Sequence, residues 1–303
     1  MIDNDQDNSL PEPRTDRSFE PIADHFEKKV YGGLKGDIRL AVLRRDIFAY
    51  VAQRSQTLGR PLRILDVGAG LAQIAIELAA QGHKLVINDI SAAMLDKARA
   101  QAVEVEDKNN AKLDIKWIVC PYQQLPTTLA EGDDIQSNFI QDNSAQDPIG
   151  KFDLILCHAL LEWLAKPADV MDFFDAHLID GGALSLCFYN PASFDYRNLI
   201  MGNFNLLDRS LEEGYAADNK KSLTPNHPVA RLEVESWLQQ HHYQTILTSG
   251  LRVFHDYSPL KRGGHNDAEA VIRMELRYSQ LEPYKWLGRY LHILAAAHAE
   301  PSE

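Results

Sequence analysis

The stretch that decides the fold is RILDVGAG, residues 63–70. Its first five residues have the apolar composition of a short buried strand, and its last three form a glycine-rich turn. Glycines at a strand-to-helix turn let a ligand approach the backbone closely, and the helix that follows offers free N–H groups in its first turn. The stretch therefore predicts a ligand site at the carboxyl end of a buried strand, although a tight turn without a ligand has the same pattern.

Strand and helix patterns alternate along the chain after this stretch. The predicted strands cover residues 63–67, 84–88, 115–120, 151–157, 183–189, 245–254 with a kink at Gly250, and 290–295. The predicted helices cover residues 22–30, 37–59, 73–81, 92–105, 233–242 and 268–280, with a further helix opening at 160–164 and with Asp37 and Ser91 as N-terminal caps. This alternation predicts an α/β fold of the Rossmann-like type, with a seven-stranded, mostly parallel sheet and helices on both faces. Ligands of such sheets bind at the carboxyl ends of the strands.

The domain organisation follows from where the alternation starts and where it is interrupted. Residues 1–19 form a predicted disordered acidic tail, and residues 20–303 form a single domain. Within that domain we expect an N-terminal helical cap at 20–59, a mobile acidic loop at 130–150 and an inserted substrate lobe at 190–230.

Composition excludes several classes of protein. The chain has 303 residues, of which 45% are hydrophobic, and a net charge of −12, which argues against a generic nucleic-acid binder. Much of that charge is local, since residues 1–20 hold six acidic and two basic residues and residues 131–150 hold five acidic and no basic residues. A local basic patch therefore remains possible. The sequence shows no signal peptide and no membrane span, and its three cysteines are too scattered for a disulfide framework or a zinc site. We expect a cytoplasmic protein without a metal.

Polar side chains stand at the ends of four predicted strands: Asp66, Asp89, Tyr122 with Gln123, and His158. A dinucleotide site needs a third glycine where this chain has Gln73, and Asp66 would repel a pyrophosphate. A cationic ligand without phosphate, such as S-adenosylmethionine, fits these residues better. Asp89 can then accept both hydroxyls of a ribose, and the side chains after the third strand can flank an adenine.

The glycine turn, Asp89, the run KFDLILCHALLEW at 151–163 and the turn Asp180-Gly181-Gly182 together resemble class I S-adenosylmethionine-dependent methyltransferases. The resemblance covers residues 19–296. Within this class, the chain most resembles the bacterial members that modify tRNA. Those members are matched by runs outside the cofactor fold, at 31–36, 188–190, 202–204, 220–225, 252–257 and 288–292. The chain departs from the pattern at Ala69, where the family has glycine, and in the longer loop at 130–150.

The resemblance implies methyl transfer to the carboxylate of 5-carboxymethoxyuridine at the wobble position of tRNA, with the tRNA anticodon region as substrate and no obligate protein partner. It implies cofactor contacts from Arg39, Gly68, Ala69, Asp89, Tyr122, Gln123 and His158. On the substrate side we expect Tyr189, Asn190, Lys220, Lys221, Arg252, His255 and Tyr257. Because a carboxylate is already ionised at neutral pH, we expect no catalytic acid or base, only groups that position the reactants.

Two other functions remain open at this point. One is a methyltransferase for a small carboxylic acid or quinone-like metabolite, since the cofactor half of such an enzyme would look the same. The other is a non-catalytic scaffold that binds the cofactor without turnover. A nicotinamide dehydrogenase is disfavoured by Gln73.

Overall fold

The computed structural model describes residues 32–131, 150–213, 228–258 and 262–297. The predictions for the acidic tail 1–19, the helix 22–30, most of the loop 130–150, and Lys220 and Lys221 lie outside these residues. No helix in the described ranges is long and apolar enough to cross a membrane.

The described residues form a seven-stranded sheet with the strand order β3-β2-β1-β4-β5-β7-β6. The strands are β1 Arg63–Val67, β2 Lys84–Asp89, β3 Ile115–Val119, β4 Phe152–His158, β5 Leu178–Tyr189, β6 Tyr243–Leu251 and β7 Tyr290–Ala297. β1 to β5 are parallel, and β7 runs antiparallel to both β5 and β6. The order reverses between β1 and β4, so the carboxyl ends of those two strands flank the crevice in which ligands of such sheets bind.

Helices cover both faces of the sheet, as the alternation predicts. They are α1 Gly33–Leu58, α2 Gln73–Ala80, α3 Ala92–Asn109, α4 Leu125–Glu131, α5 Val170–His177, α6 Pro191–Met201, α7 Phe204–Glu213, α8 Arg231–Gln240 and α9 Ala268–Tyr278. One apolar cluster joins α1, α2 and α3 to one face, and a second joins α5 and α8 to the other. The chain directly after β5 forms α6 and α7, which lie within the range 190–230 of the predicted lobe.

Two predicted helix starts are wrong. Asp37 lies inside α1, which begins four residues earlier with Gly32 at its N-cap. Residues 161–163 form a single 3₁₀ turn rather than the opening of a helix, and the helix begins only at Val170. Around Asp37 the apolar pattern correctly indicates a helix and only its start is misplaced, whereas Leu164 is extended and separates the turn at 161–163 from the helix that follows.

The irregularity of β6 also differs from the prediction. The strand continues through Gly250 to Leu251, and its register against β7 shifts between Thr245 and Leu247 instead. Gly250 has another role, because a Cβ built on it would lie 2.1 Å from the carbonyl oxygen of Lys285. The glycine is needed for this close approach of two backbones rather than for a bend.

Candidate active site

The glycine turn after β1 has a backbone that only small residues adopt easily. Gly68 and Gly70 have φ angles of +63° and +56°, and Ala72, which caps α2, has φ of +50°. A Cβ on Gly68 would also lie 2.8 Å from a methyl group of Leu160. Ala69 is outside the left-handed region, and its N–H donates to the carbonyl of Asn88 at 3.0 Å. Ala69 therefore adds no backbone strain at a position where the family has glycine.

Asp89 holds this turn from the end of β2. Its Oδ2 accepts a hydrogen bond from the Gly70 N–H and its Oδ1 accepts one from the Ser91 N–H, both at 2.8 Å. Ser91 caps α3 as predicted, since its Oγ accepts from the Met94 N–H at 3.2 Å. A carboxylate oxygen has two lone pairs, so Asp89 is suited both to brace the turn and to accept from a ribose.

Two buried carboxyl groups lie beside Arg39 at the centre of the site. Burial, together with the nearby charge of Asp89, raises the pKa of Asp66 to about 8, and Arg39 lowers it only in part. Burial raises the pKa of Glu162 to about 7. Arg39 reaches this centre from α1 and is itself 7% exposed. A cation that enters here can restore the charge of both acids.

Glu162 is the functional candidate that the sequence reasoning missed, because it stood in the run at 151–163 and at a predicted helix start without a role of its own. Both of its carboxyl oxygens are buried and lack a hydrogen-bond partner among the described residues. Its own N–H and that of Tyr189 lower its pKa without offsetting the effect of burial, and neither meets the geometry of a hydrogen bond. A buried carboxylate in this state needs a ligand donor to become stable, which is what an ammonium group supplies.

The side predicted for the adenine has the expected residues at the end of β3. Asn88 donates to the carbonyls of Ile118 and Cys120, at 3.2 and 2.8 Å, and so fixes the start of the following turn. Tyr122, in that turn, packs edge-on against Phe173 with 5.5 Å between ring centroids. Tyr122 and Gln123 line a cavity of about 580 Å³ whose other walls are Leu164, Ala165, Lys166, Asp169 and Phe173.

His158 ends β4 and is held from behind rather than from the pocket. Its Nε2 lies 2.8 Å from the Oγ of Ser185 on β5. Burial lowers the pKa of His158 well below its usual range, and the positive charge of Arg39 acts in the same direction. The imidazole is therefore neutral at physiological pH. The next residue, Ala159, has φ of +59°, which places backbone strain at the mouth of the site.

Aromatic rings and guanidinium groups line the other side of the carboxyl edge. Tyr189 on β5 and Tyr290 on β7 meet edge-on at 5.8 Å. Arg289 lies 4.7 Å from the centroid of Tyr189, and Arg252 lies 5.5 Å from that of Tyr290. Arg39 is 6.0 Å from the same Tyr290 ring, so the cofactor and substrate sides share one wall. We call these five residues the arginine–tyrosine wall.

Sequence reasoning found Tyr189 and Arg252 but gave no role to Arg289 and Tyr290. The sequence did contain a signal for these two residues, since both lie in the run at 288–292 that carries the resemblance. Their position could not be read from the sequence because β7 is inserted between β5 and β6 only in the folded sheet.

The remaining predicted substrate residues have structural contacts. Asn190 donates both amide hydrogens to the carbonyls of Trp286 and Gly288, at 2.8 and 2.9 Å. The N–H of His255 donates to Glu275 at 2.8 Å, and the hydroxyl of Tyr257 donates to the carbonyl of Leu287. These hydrogen bonds hold the loops that carry the arginine–tyrosine wall.

Comparison with known proteins agrees with this geometry. The sequence matches the protein family described as "Methyltransferase domain" over residues 40–248. The tRNA 5-carboxymethoxyuridine methyltransferases of Escherichia coli K12 and O157:H7 are each 35% identical to it over 280 residues, which is 92% of this chain and 96% of the relative.

Solved structures show the same fold at low sequence identity. The magnesium protoporphyrin IX methyltransferase of Synechocystis PCC 6803 with bound SAH has a TM-score of 0.52 and 13% identity, with 92% of this chain and 96% of that chain covered. The same enzyme with bound SAM has a TM-score of 0.50 and 14% identity, covering 92% and 93% of the two chains.

The sheet order, the glycine turn and the family match define a class I S-adenosylmethionine-dependent methyltransferase. Within that class, the chain belongs to the family of the tRNA 5-carboxymethoxyuridine methyltransferases. The residues present fit the cofactor, because the partnerless oxygens of Glu162 and the buried Asp66 suit its positive charges and Arg39 suits its carboxylate.

Proposed function

We propose that this enzyme methylates the carboxylate of 5-carboxymethoxyuridine at wobble position 34 of tRNA, with S-adenosylmethionine as donor, and so forms the methyl ester. The observation that carries the proposal is the 35% identity to the Escherichia coli enzyme over nearly the full length of both chains. The arginine–tyrosine wall supports it, since guanidinium groups suit a carboxylate and phosphates and the rings suit an unstacked base.

Within that site we assign the cofactor to Arg39, Gly68, Ala69, Asp89, Tyr122, Gln123 and His158. Arg39 binds the methionyl carboxylate, Asp89 accepts from the ribose and Tyr122 packs against the adenine. When bound, the cofactor supplies the methyl group, and its sulfonium sulfur becomes that of a neutral thioether. Neutral His158 adds no positive charge beside the sulfonium, which a protonated imidazole would repel.

No residue needs to act as a base, because the acceptor carboxylate has a pKa of about 4 and is ionised before it binds. The enzyme instead has to place one oxygen about 3–3.5 Å from the methyl carbon and in line with the bond that breaks. Arg252 is suited to guide that carboxylate without trapping it. Its guanidinium already pairs with Asp256 at 3.5 Å, so only part of its charge is offered to the substrate.

The substrate side is completed by Tyr189, Asn190, His255, Tyr257, Lys220 and Lys221. The first four lie at or behind the arginine–tyrosine wall, and the two lysines lie outside the described residues. We further propose that the enzyme acts in the cytoplasm, where its tRNA is found, and without a metal or an obligate protein partner.

The test compares tRNA from cells with and without the gene by mass spectrometry of wobble nucleosides. We expect the free acid to accumulate without the gene, and purified enzyme with S-adenosylmethionine to convert it to the methyl ester. Small carboxylic acids serve as competing substrates in the same assay. If the enzyme esterified only those acids, its substrate would be a metabolite and not tRNA. If it bound the cofactor but methylated nothing, it would be a non-catalytic scaffold.

A further inference from the structure

A continuous chain of buried polar groups runs behind His158, across three strands of the sheet and into α1. The Nε2 of His158 is 2.8 Å from the Oγ of Ser185, which is 2.8 Å from the Nε2 of His292. The Nδ1 of His292 is in turn 2.9 Å from the Oδ2 of Asp46. Ser185, His292 and Asp46 are all at most 3% exposed. We call these four residues the His158 relay.

The far end of the relay has a fixed charge. Oδ1 of Asp46 accepts from Nε and Nη2 of Arg45, at 2.8 and 2.6 Å, and from the amide of Gln280 at 3.1 Å. The hydrogen bond from His292 and the charge of Arg45 lower the pKa of Asp46 despite its burial. Asp46 is therefore an ionised acceptor at both oxygens, and the Nδ1 of His292 must carry a hydrogen.

The direction of the remaining bonds follows from the charge on His292. Arg45 already neutralises Asp46, so a protonated His292 would bury a second positive charge with no further counter-ion in the relay. Neutral His292 has a bare Nε2, which accepts from the hydroxyl of Ser185. The oxygen of Ser185 then accepts from the Nε2–H of His158. His158 is left with a bare Nδ1 as its only free lone pair.

We propose that Ser185, His292 and Asp46 are positioning residues that hold His158 in the tautomer with hydrogen on Nε2, so that Nδ1 faces the ligand as a hydrogen-bond acceptor. The proposal rests on the cofactor assignment above. S-adenosylmethionine has an ammonium group, which can donate to a bare nitrogen but not to an N–H. The relay thus determines whether the Nδ1 of His158 meets the cofactor as a hydrogen-bond acceptor or as a donor.

The substitution Asp46→Asn tests the relay because the structure dictates how the new amide must turn. Arg45 and Gln280 donate to the Oδ1 position, so the amide oxygen stays there and its NH₂ faces the Nδ1 of His292. Every hydrogen bond of the relay then reverses, and His158 receives its hydrogen on Nδ1. The same reversal of a histidine tautomer by an aspartate-to-asparagine change is known in serine proteases.

The readout is the pair of ring ¹⁵N resonances of His158, assigned in protein labelled at histidine. We expect an N–H signal at Nε2 in the wild type and at Nδ1 in Asp46→Asn, with S-adenosylmethionine affinity reduced about tenfold by calorimetry, the equivalent of one lost hydrogen bond. Affinity for tRNA should stay unchanged. An unchanged His158 spectrum in the variant, or a reversed spectrum with wild-type cofactor affinity, overturns the proposal.

A second pair of variants separates the relay from simple loss of packing. Ser185→Ala cuts the relay, whereas Ser279→Ala removes a hydroxyl from an equally buried serine that accepts from Arg45 at 2.7 Å and donates to the carbonyl of Leu276 at 2.8 Å, outside the relay. We expect both to lower the melting temperature and only Ser185→Ala to alter the His158 spectrum and cofactor affinity. Equal spectra in the two variants count against the relay. A wild-type enzyme that fails to esterify tRNA would contradict the proposed substrate but leave these results unaffected.

Discussion

Two buried acids in the cofactor site have raised pKa values that a bound cation would lower. Asp66 and Glu162 are buried acids with raised pKa values, and Arg39 offsets their charge only in part. A site that already satisfied these groups would have little to gain from a cationic ligand. The protein therefore gives up stability at this position and recovers it when the cofactor binds.

Asp66→Asn should stabilise the ligand-free enzyme in a pH-dependent way. The pKa of Asp66 is about 8 in the folded protein and about 4 in an unfolded chain, so its unfavourable contribution grows from pH 4 to pH 8 and is constant above. The gain in melting temperature over the wild type should be larger at pH 8 than at pH 5. Asp96→Asn, at an exposed position, is the control and should show no such trend. A gain independent of pH would contradict the raised pKa.

Cofactor binding should release protons near neutral pH. A sulfonium and an ammonium favour the ionised forms of Asp66 and Glu162, so affinity should rise as pH increases from 6 to 8. Calorimetry in two buffers with different ionisation enthalpies measures the number of protons released. Glu162→Gln should reduce that number. Binding enthalpies that do not depend on the buffer would show that both acids are ionised before the cofactor arrives.

Two elements, β6 and β7, build the substrate side from residues far apart in the chain. The 3₁₀ turn at 284–287 packs against the end of β6, where Gly250 and Gly288 allow the backbones to approach. Arg252, two residues after Gly250, has φ of +60°, so the chain leaves the strand in a strained conformation that aims its side chain at Tyr290. The position of the arginine–tyrosine wall thus depends on this contact between backbones.

Gly250→Ala should destabilise the fold strongly. The added Cβ would lie 2.1 Å from the carbonyl oxygen of Lys285, and a backbone atom cannot move aside as a side chain can. We expect a loss of about 3 kcal/mol or more in the free energy of unfolding, measured by denaturant titration. Gly264→Ala is the matched control, since a Cβ there meets nothing within 4 Å. Similar losses in the two variants would refute the close-approach explanation.

Arg252→Ala should separate the two halves of the site. We expect kcat/KM for tRNA to fall about tenfold or more, as for a lost charge-assisted contact, while the Kd for S-adenosylmethionine stays within about twofold. Arg252→Lys retains the charge but not the planar fork, and it should recover only part of the activity. If cofactor and tRNA binding fell equally, the assigned division between the halves would be wrong.

At the scale of the whole molecule, a strongly acidic protein has to bind an acidic substrate. The net charge is −12, so the field of the protein as a whole repels tRNA. Binding must then depend on basic groups concentrated at the carboxyl edge, which include Arg252 and Arg289. The acidic residues at 1–20 and 131–150 account for much of the negative charge and lie mainly outside the described residues.

Salt should affect the two ligands differently. The affinity for tRNA should fall linearly with log salt, with a slope of about 0.7–0.9 for each phosphate contacted. The affinity for S-adenosylmethionine, which is bound in a buried site, should change little over the same range. Fluorescence titrations between about 50 and 200 mM salt measure both slopes. A tRNA affinity that ignores salt would exclude phosphate contacts as its main source.

The sequence by itself determined the strand–helix alternation, the glycine turn and the acid at the end of β2, because each depends on residues close together in the chain. It also predicted the cap at Ser91 and seven strands. Only the tertiary structure decided that β7 enters between β5 and β6, which brings Tyr290 and His292 beside Tyr189 and Ser185. Helix starts at Gly33 and Val170 were likewise set by the fold. Long-range strand pairing and tertiary contacts govern these features, and neither can be read from a local pattern in the sequence.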